Sequence, residues 1–269
     1  MPIEPGKHLI LHVGTHKTGT TSVQTMMGAH REFFETQGVL FPFAGHVRNG
    51  GHHNIAWELN GDAGYDPAQG SLADLTAELG ATPLASVLLS SEDFEFWHLR
   101  PDLLEQIKDV AEKAGFSVEV LLVLRPVTEY VESLYKELLK HGLAVSRTAF
   151  VKTIAATGAY PFKERTYRFD YAEMVSGFQA TFGTEHVYVL EYEAADSNTP
   201  FFAACGKLFG APVHHIAVWG RQNPRRPPLR YRLKHPLKGH RRGTLSKSEA
   251  TLIQKRFTTP ISALVRVPA

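Results

Sequence analysis

The chain has 269 residues, 43% of them hydrophobic and 21% charged, which suits one large α/β domain with a full core and is short for two. A net charge of +2 gives no whole-molecule field that would mark a nucleic-acid or membrane binder, and a lone Cys205 excludes an internal disulfide and any cysteine-based zinc site. No run approaches the roughly 18 apolar residues of a membrane span, and the first residues lack a secretory pattern, so the chain, taken as complete, is expected in the cytoplasm.

Leu9 to Val13 is a short apolar run, followed by Gly14, a Thr/Gly loop carrying Lys17, and a helical pattern. Strand, loop and helix in that order aim several backbone N–H groups and the positive end of a helix dipole at one spot, where a phosphate is readily held. Gly14 and Gly19 allow the tight turn and the close approach. The loop reads GxxKxGTT, so it differs from the GxxxxGK[ST] of nucleotide triphosphatases. The spacing predicts a first helix over Gly19 to Thr36, with Val23, Met26, Met27, His30, Phe33 and Phe34 on its apolar face and Gly38 ending it.

Residues 39–84 are broken by Gly61, Gly64, Pro67, Gly70, Gly80 and Pro83, so only short helices are expected, in a cover over the substrate. The cover holds adjacent His52 and His53, which as neighbours point apart and are poor partners for one metal. Ala85 to Ser90 reads as a buried parallel strand ending in Ser91, Glu92 and Asp93, at the strand end where open α/β sheets bind ligands. A structural alternative makes Asp93 a turn cap and Glu92 a solvated side chain. Pro101 to Ala114 is predicted helical and closed by Gly115. Val118 to Leu124 is the longest strand signal, and it stops at Arg125-Pro126 before a helix over Val127 to His141.

Further helices are expected from Ser146 to Thr157, from the Asp170 cap to Ala180, and from Thr199-Pro200 to Gly210, the last carrying Cys205 as a small core residue. His186 to Glu191 is another strand. Residues 221–242 hold nine Lys/Arg and no Asp or Glu, and prolines at 224, 227, 228 and 236 argue for a basic loop. Ser246 with Glu249 forms a capping box for a last helix through Phe257.

Two of these segments carry a resemblance. KTGTTS, within residues 12–24, resembles the 5′-phosphosulfate loop of sulfotransferases that use 3′-phosphoadenosine 5′-phosphosulfate. Arg125 at a strand end and Ser133 on the next helix, within residues 121–142, resemble their 3′-phosphate site; a guanidinium fork and a hydroxyl suit a phosphate. HRRG, His240 to Gly243, is loosely similar to their C-terminal loop that also reaches the 3′-phosphate.

The resemblance implies a single three-layer α/β sandwich with a central parallel sheet, related to nucleotide kinases, and transfer of a sulfuryl group to an acceptor hydroxyl or amine. It also implies that Thr15, His16, Lys17, Thr18, Gly19, Thr20, Thr21 and Ser22 hold the 5′ end of the donor, and that Arg125, Ser133, Arg241, Arg242 and Gly243 recognise the 3′-phosphate, without a metal. Lys17 would neutralise the leaving oxygen. Glu92 would be the general base, with His52 or His53 as alternatives. A wet cover with Trp57 and Trp97 suits a carbohydrate acceptor, a small molecule or glycan; no nucleic-acid partner is expected. The competing classes are a kinase using ATP and magnesium held by Asp93, a nucleic-acid binder resting on residues 221–242, and a non-catalytic nucleotide-binding protein.

Overall fold

The computed structural model describes residues 6–15, 20–48, 50–192 and 244–267. Five strands form one parallel sheet in the order β2-β3-β1-β4-β7: β1 (Lys7–Gly14), β2 (Val39–Leu40), β3 (Ser86–Ser90), β4 (Phe116–Leu124) and β7 (Val187–Glu191). From β1 the chain goes to the sheet edge at β2, returns to β3 beside β1, and then crosses to β4 on the other side of β1. Such a reversal opens a crevice beyond the carboxyl ends of the central strands.

Alternation along β1 sends its side chains into two cores. Leu9, Leu11 and Val13 pack with Leu104 of α5 (Pro101–Lys113), Leu134 of α6 (Val127–Lys140) and Phe178 of α8 (Tyr171–Phe182). Ile10 packs on the opposite face with Val23, Met26 and Met27 of α1 (Thr20–Ala29) and Phe34 of α2 (Arg31–Thr36). Helices on both faces of a parallel sheet make the expected three layers.

Several sequence expectations hold. Among the described residues, the helices of the cover are the short α3 (His53–Asn60) and α4 (Leu72–Ala81) and a 3₁₀ turn, Pro67–Gln69. Ser146 and Asp170 cap α7 (Arg147–Thr157) and α8, and the Ser246–Glu249 capping box opens α9 (Lys247–Arg256). The helix expected over Thr199-Pro200 to Gly210 with Cys205, and the basic loop 221–242, lie outside the described residues.

Two expectations are corrected. The first helix breaks at His30, where Arg31 turns its guanidinium onto the carbonyls of Gly28, Phe41 and Pro42 at 3.1, 2.9 and 3.2 Å. The break rotates Phe33 outward, to 38% exposed, while Phe34 stays buried. Between α7 and α8, where no element is predicted, the chain forms an antiparallel hairpin, β5 (Ala159–Phe162) and β6 (Arg165–Arg168). Its two turn residues are Lys163 and Glu164, with Lys163 at φ +55°, so the Asn-Gly or Asp-Gly signal of such turns is missing.

Gly177 of α8 lies against the segment Glu92–Leu99, and a Cβ there would overlap the His98 carbonyl oxygen. Gly80 of α4 faces open space at an ordinary φ. Gly177→Ala is expected to cost about 1–3 kcal/mol through overpacking, and Gly80→Ala to be stabilising by up to about 1 kcal/mol. Urea denaturation of the two variants checks both signs.

Candidate functional site

The strand register decides which loops meet. His12 pairs with Ser90 and Gly14 with Val123, so β1, β3 and β4 end together. Thr15, the segment Ser91–Asp93 and Arg125 therefore emerge at one edge. Tyr171, the first residue of α8, holds the end of β4, its hydroxyl donating to the Arg125 carbonyl at 2.8 Å, while the Thr15 N–H at the end of β1 donates to the Val123 carbonyl at 3.2 Å. Burial raises the Tyr171 pKa well beyond a phenol's ordinary value, so the group stays a neutral donor.

Ser91 caps the 3₁₀ segment Glu92–Leu99, accepting from the Asp93 N–H at 3.1 Å. The cap is thus Ser91 and not Asp93. Glu92 points back toward α1. Its Oε1 accepts from the hydroxyl of Thr20, the first residue of α1, and its Oε2 accepts from Gln24 at 3.1 Å. His53, the first residue of α3, stands over both carboxylates, with Nε2 at 3.4 Å from Glu92 Oε2 and Nδ1 at 3.0 Å from Asp93 Oδ2 and 2.8 Å from Ser91 Oγ.

Asp93 is nearly buried, and three groups compensate its charge. Trp57 donates its indole N–H at 2.9 Å, His53 faces the same oxygen, and Arg165 of the hairpin donates to the other oxygen. Arg165 also reaches Asp62 at 3.2 Å. Held in this way, Asp93 is a structural anion, an arrangement that gives no support to a magnesium ligand in that position.

Close approach of the cover brings His53 in. The His52 N–H donates to the Ser90 carbonyl at 2.7 Å, and a Cβ on Gly51 would overlap that carbonyl oxygen and crowd Gln24. His52 itself turns away. The Ser90 N–H donates to its Nδ1 at 3.1 Å, so Nε2 carries the proton and donates to the Pro42 carbonyl at 3.1 Å. Burial first, then the neighbouring His46, lowers its pKa to about 3. His12 is buried beside Ser90 Oγ at 2.9 Å, and burial lowers its pKa to about 4 against a weaker pull from Glu92.

The remaining predicted residues divide by place. Thr21 and Ser22 follow Thr20 in the first turn of α1 and are half-buried. Arg125 is paired with Glu129 at 2.9 Å, and Ser133 is half-buried one helical turn beyond Glu129. His16, Lys17, Thr18, Gly19, Arg241, Arg242 and Gly243 lie outside the described residues. Trp97 is wholly buried with its N–H on Asn60 at 3.1 Å, and Trp57 stacks on His53 while donating to Asp93. Neither indole N–H is left for a sugar. Gln24, Tyr171 and Arg165 were missed: Gln24 sits on a helix among core residues, and the other two join the site only through tertiary contact. Among the described residues no cluster of three His, Cys, Asp or Glu is gathered to hold a metal ion, and no helix is long and apolar enough to cross a membrane.

With this geometry in view, the chain has the fold of a solved sulfotransferase from Alicyclobacillus acidocaldarius, with a TM-score of 0.50 at 16% identity over 97% of this chain and 99% of that one. No protein-family model and no curated protein matches the chain. At this identity the likeness establishes the three-layer fold with its parallel sheet, and the chemistry has to be argued from the residues.

Two outcomes are expected. Arg165→Ala leaves Asp93 under-compensated and destabilises the protein, by less than the about 3–5 kcal/mol of a fully buried broken pair, because Arg165 is 26% exposed; adding Asp93→Asn recovers part of the loss in a double-mutant cycle. His12 and His52 are neutral when folded and titrate near the usual 6.5 when unfolded, so the unfolded chain binds more protons below that value. Stability is unaffected by them above pH 6.5 and falls on acidification toward pH 4, by about 1.4 kcal/mol per pH unit for each, read from urea midpoints against pH.

Proposed function

We propose that the chain is a single sulfotransferase domain, moving a sulfuryl group from 3′-phosphoadenosine 5′-phosphosulfate to a hydroxyl or amine of a small-molecule or glycan acceptor. The observation that carries the reading is the convergence at one sheet edge of the β1 end, Arg125 and Glu92, with Glu92 held by Thr20 at the start of α1. Two segments that resemble the sulfotransferase donor site, far apart in sequence, thereby start from the same sheet edge as a carboxylate that has a histidine behind it.

The residues suit such a donor. The start of α1, with Thr20, Thr21 and Ser22, offers backbone and hydroxyl donors to a 5′-phosphate. Arg125 offers its fork, and Ser133 a hydroxyl, to a 3′-phosphate. Bound there, the donor supplies an activated sulfuryl group and a phosphate leaving group. Lys17 meets the charge that develops on the leaving oxygen.

Glu92 takes the acceptor proton. His53 positions that carboxylate and shares its proton through Nε2, while Asp93 and Ser91 hold the imidazole at Nδ1. His52, with both ring nitrogens engaged by backbone, has a structural role. A carbohydrate acceptor would be gripped by polar groups of the cover, because the indoles of Trp57 and Trp97 are engaged elsewhere.

Calorimetric titration tests the donor. Adenosine 3′,5′-bisphosphate is expected to bind the native protein and to lose about 10- to 100-fold in affinity in Arg125→Ala, in line with the loss of a charge-assisted bidentate contact. Binding of ATP with magnesium in its place, indifferent to Arg125, would move the protein to phosphoryl transfer.

A further inference from the structure

The guanidinium that the donor reading assigns to the 3′-phosphate already holds an anion. Arg125 Nη2 donates to Glu129 Oε2 at 2.9 Å, with the arginine side chain 15% and the glutamate 49% exposed. Glu129 lies in the first turn of α6, four residues after Arg125 and four before Ser133. Residues four apart share a helix face, so this carboxylate stands beside both groups that the phosphate would meet.

The two partners of the pair differ in freedom. Arg125 is mostly buried, its carbonyl receives the Tyr171 hydroxyl at 2.8 Å, and its guanidinium lies over the Tyr192 ring at 5.3 Å. Glu129 is half-exposed, and a rotation of its side chain takes the carboxylate into water. An exposed carboxylate holds its guanidinium weakly, whereas a phosphate brings more oxygens and more charge to the same fork.

We propose that Glu129 is a displaceable stand-in for the 3′-phosphate: it occupies Arg125 in the empty protein and competes with the donor and the bisphosphate product for it, lowering the affinity of both. The inference rests on the donor reading above. Its consequence is kinetic as well, because a competing internal anion hastens release of a tightly held bisphosphate.

The test titrates adenosine 3′,5′-bisphosphate and adenosine 5′-monophosphate into the native protein and Glu129→Gln. The variant is expected to bind the bisphosphate about 3- to 10-fold more tightly, as expected on removing one partly screened like charge, and the monophosphate unchanged. Unchanged or weaker bisphosphate binding in the variant, with the native protein still preferring the bisphosphate, overturns the stand-in role alone. A native protein with no preference between the two nucleotides overturns the donor reading and this inference together. A variant that tightens both nucleotides equally also overturns it, since the effect would then be a general field and not competition at the 3′-phosphate.

Discussion

Parallel hydrogen bonding of β1 to β3 on one side and β4 on the other brings three strands to an end at one level, with His12 opposite Ser90 and Gly14 opposite Val123. A parallel sheet needs a long crossover between neighbouring strands, so the segments that follow these ends come from distant parts of the chain. Residues near positions 15, 92 and 125 become neighbours for that reason alone. A shift of β1 by one residue would turn Leu9, Leu11 and Val13 out of their core, so the hydrophobic packing that stabilises the sheet also holds the chemistry in register.

The edge so formed is rich in carboxylates, and the structure handles each differently. Asp93 is buried and fully compensated by Arg165, Trp57 and His53. Glu92 is held by the neutral donors Thr20 and Gln24, with an imidazole alongside. Glu129 is half in water on a single guanidinium. Burial and partner type grade them, from the buried and compensated Asp93 through Glu92 to the half-exposed Glu129. That grading follows from the cost of removing a charge from water without a partner.

The hairpin β5–β6 shows how a remote segment becomes part of the site. It carries Arg165 across to Asp93 and Asp62, so the cover, the β3 end and the hairpin are joined by one guanidinium. The same economy appears at Tyr171, where a single buried phenol at the start of α8 holds the backbone at the end of β4. Both residues are ordinary in their local sequence, and their meaning lies in what they reach.

The sequence by itself determined four strands of the central sheet, most helix ends and the caps, because these depend on near neighbours: apolar runs such as Leu9 to Val13 and Val118 to Leu124, the glycines after helices, and the Ser246–Glu249 box. It also pointed to Glu92 and Arg125 through their positions at strand ends. Only the tertiary structure decided that the first helix breaks at His30, since Arg31 answers to carbonyls across a turn, and that Lys163 and Glu164 close a hairpin. It alone separated His52 from His53. The two differ by one residue at the start of α3, and one meets the backbone of Ser90 and Pro42 while the other meets carboxylates. Local propensity cannot carry that distinction, because Ser90, Glu92 and Asp93, which separate the two rings, lie about 40 residues away and are brought near by the sheet.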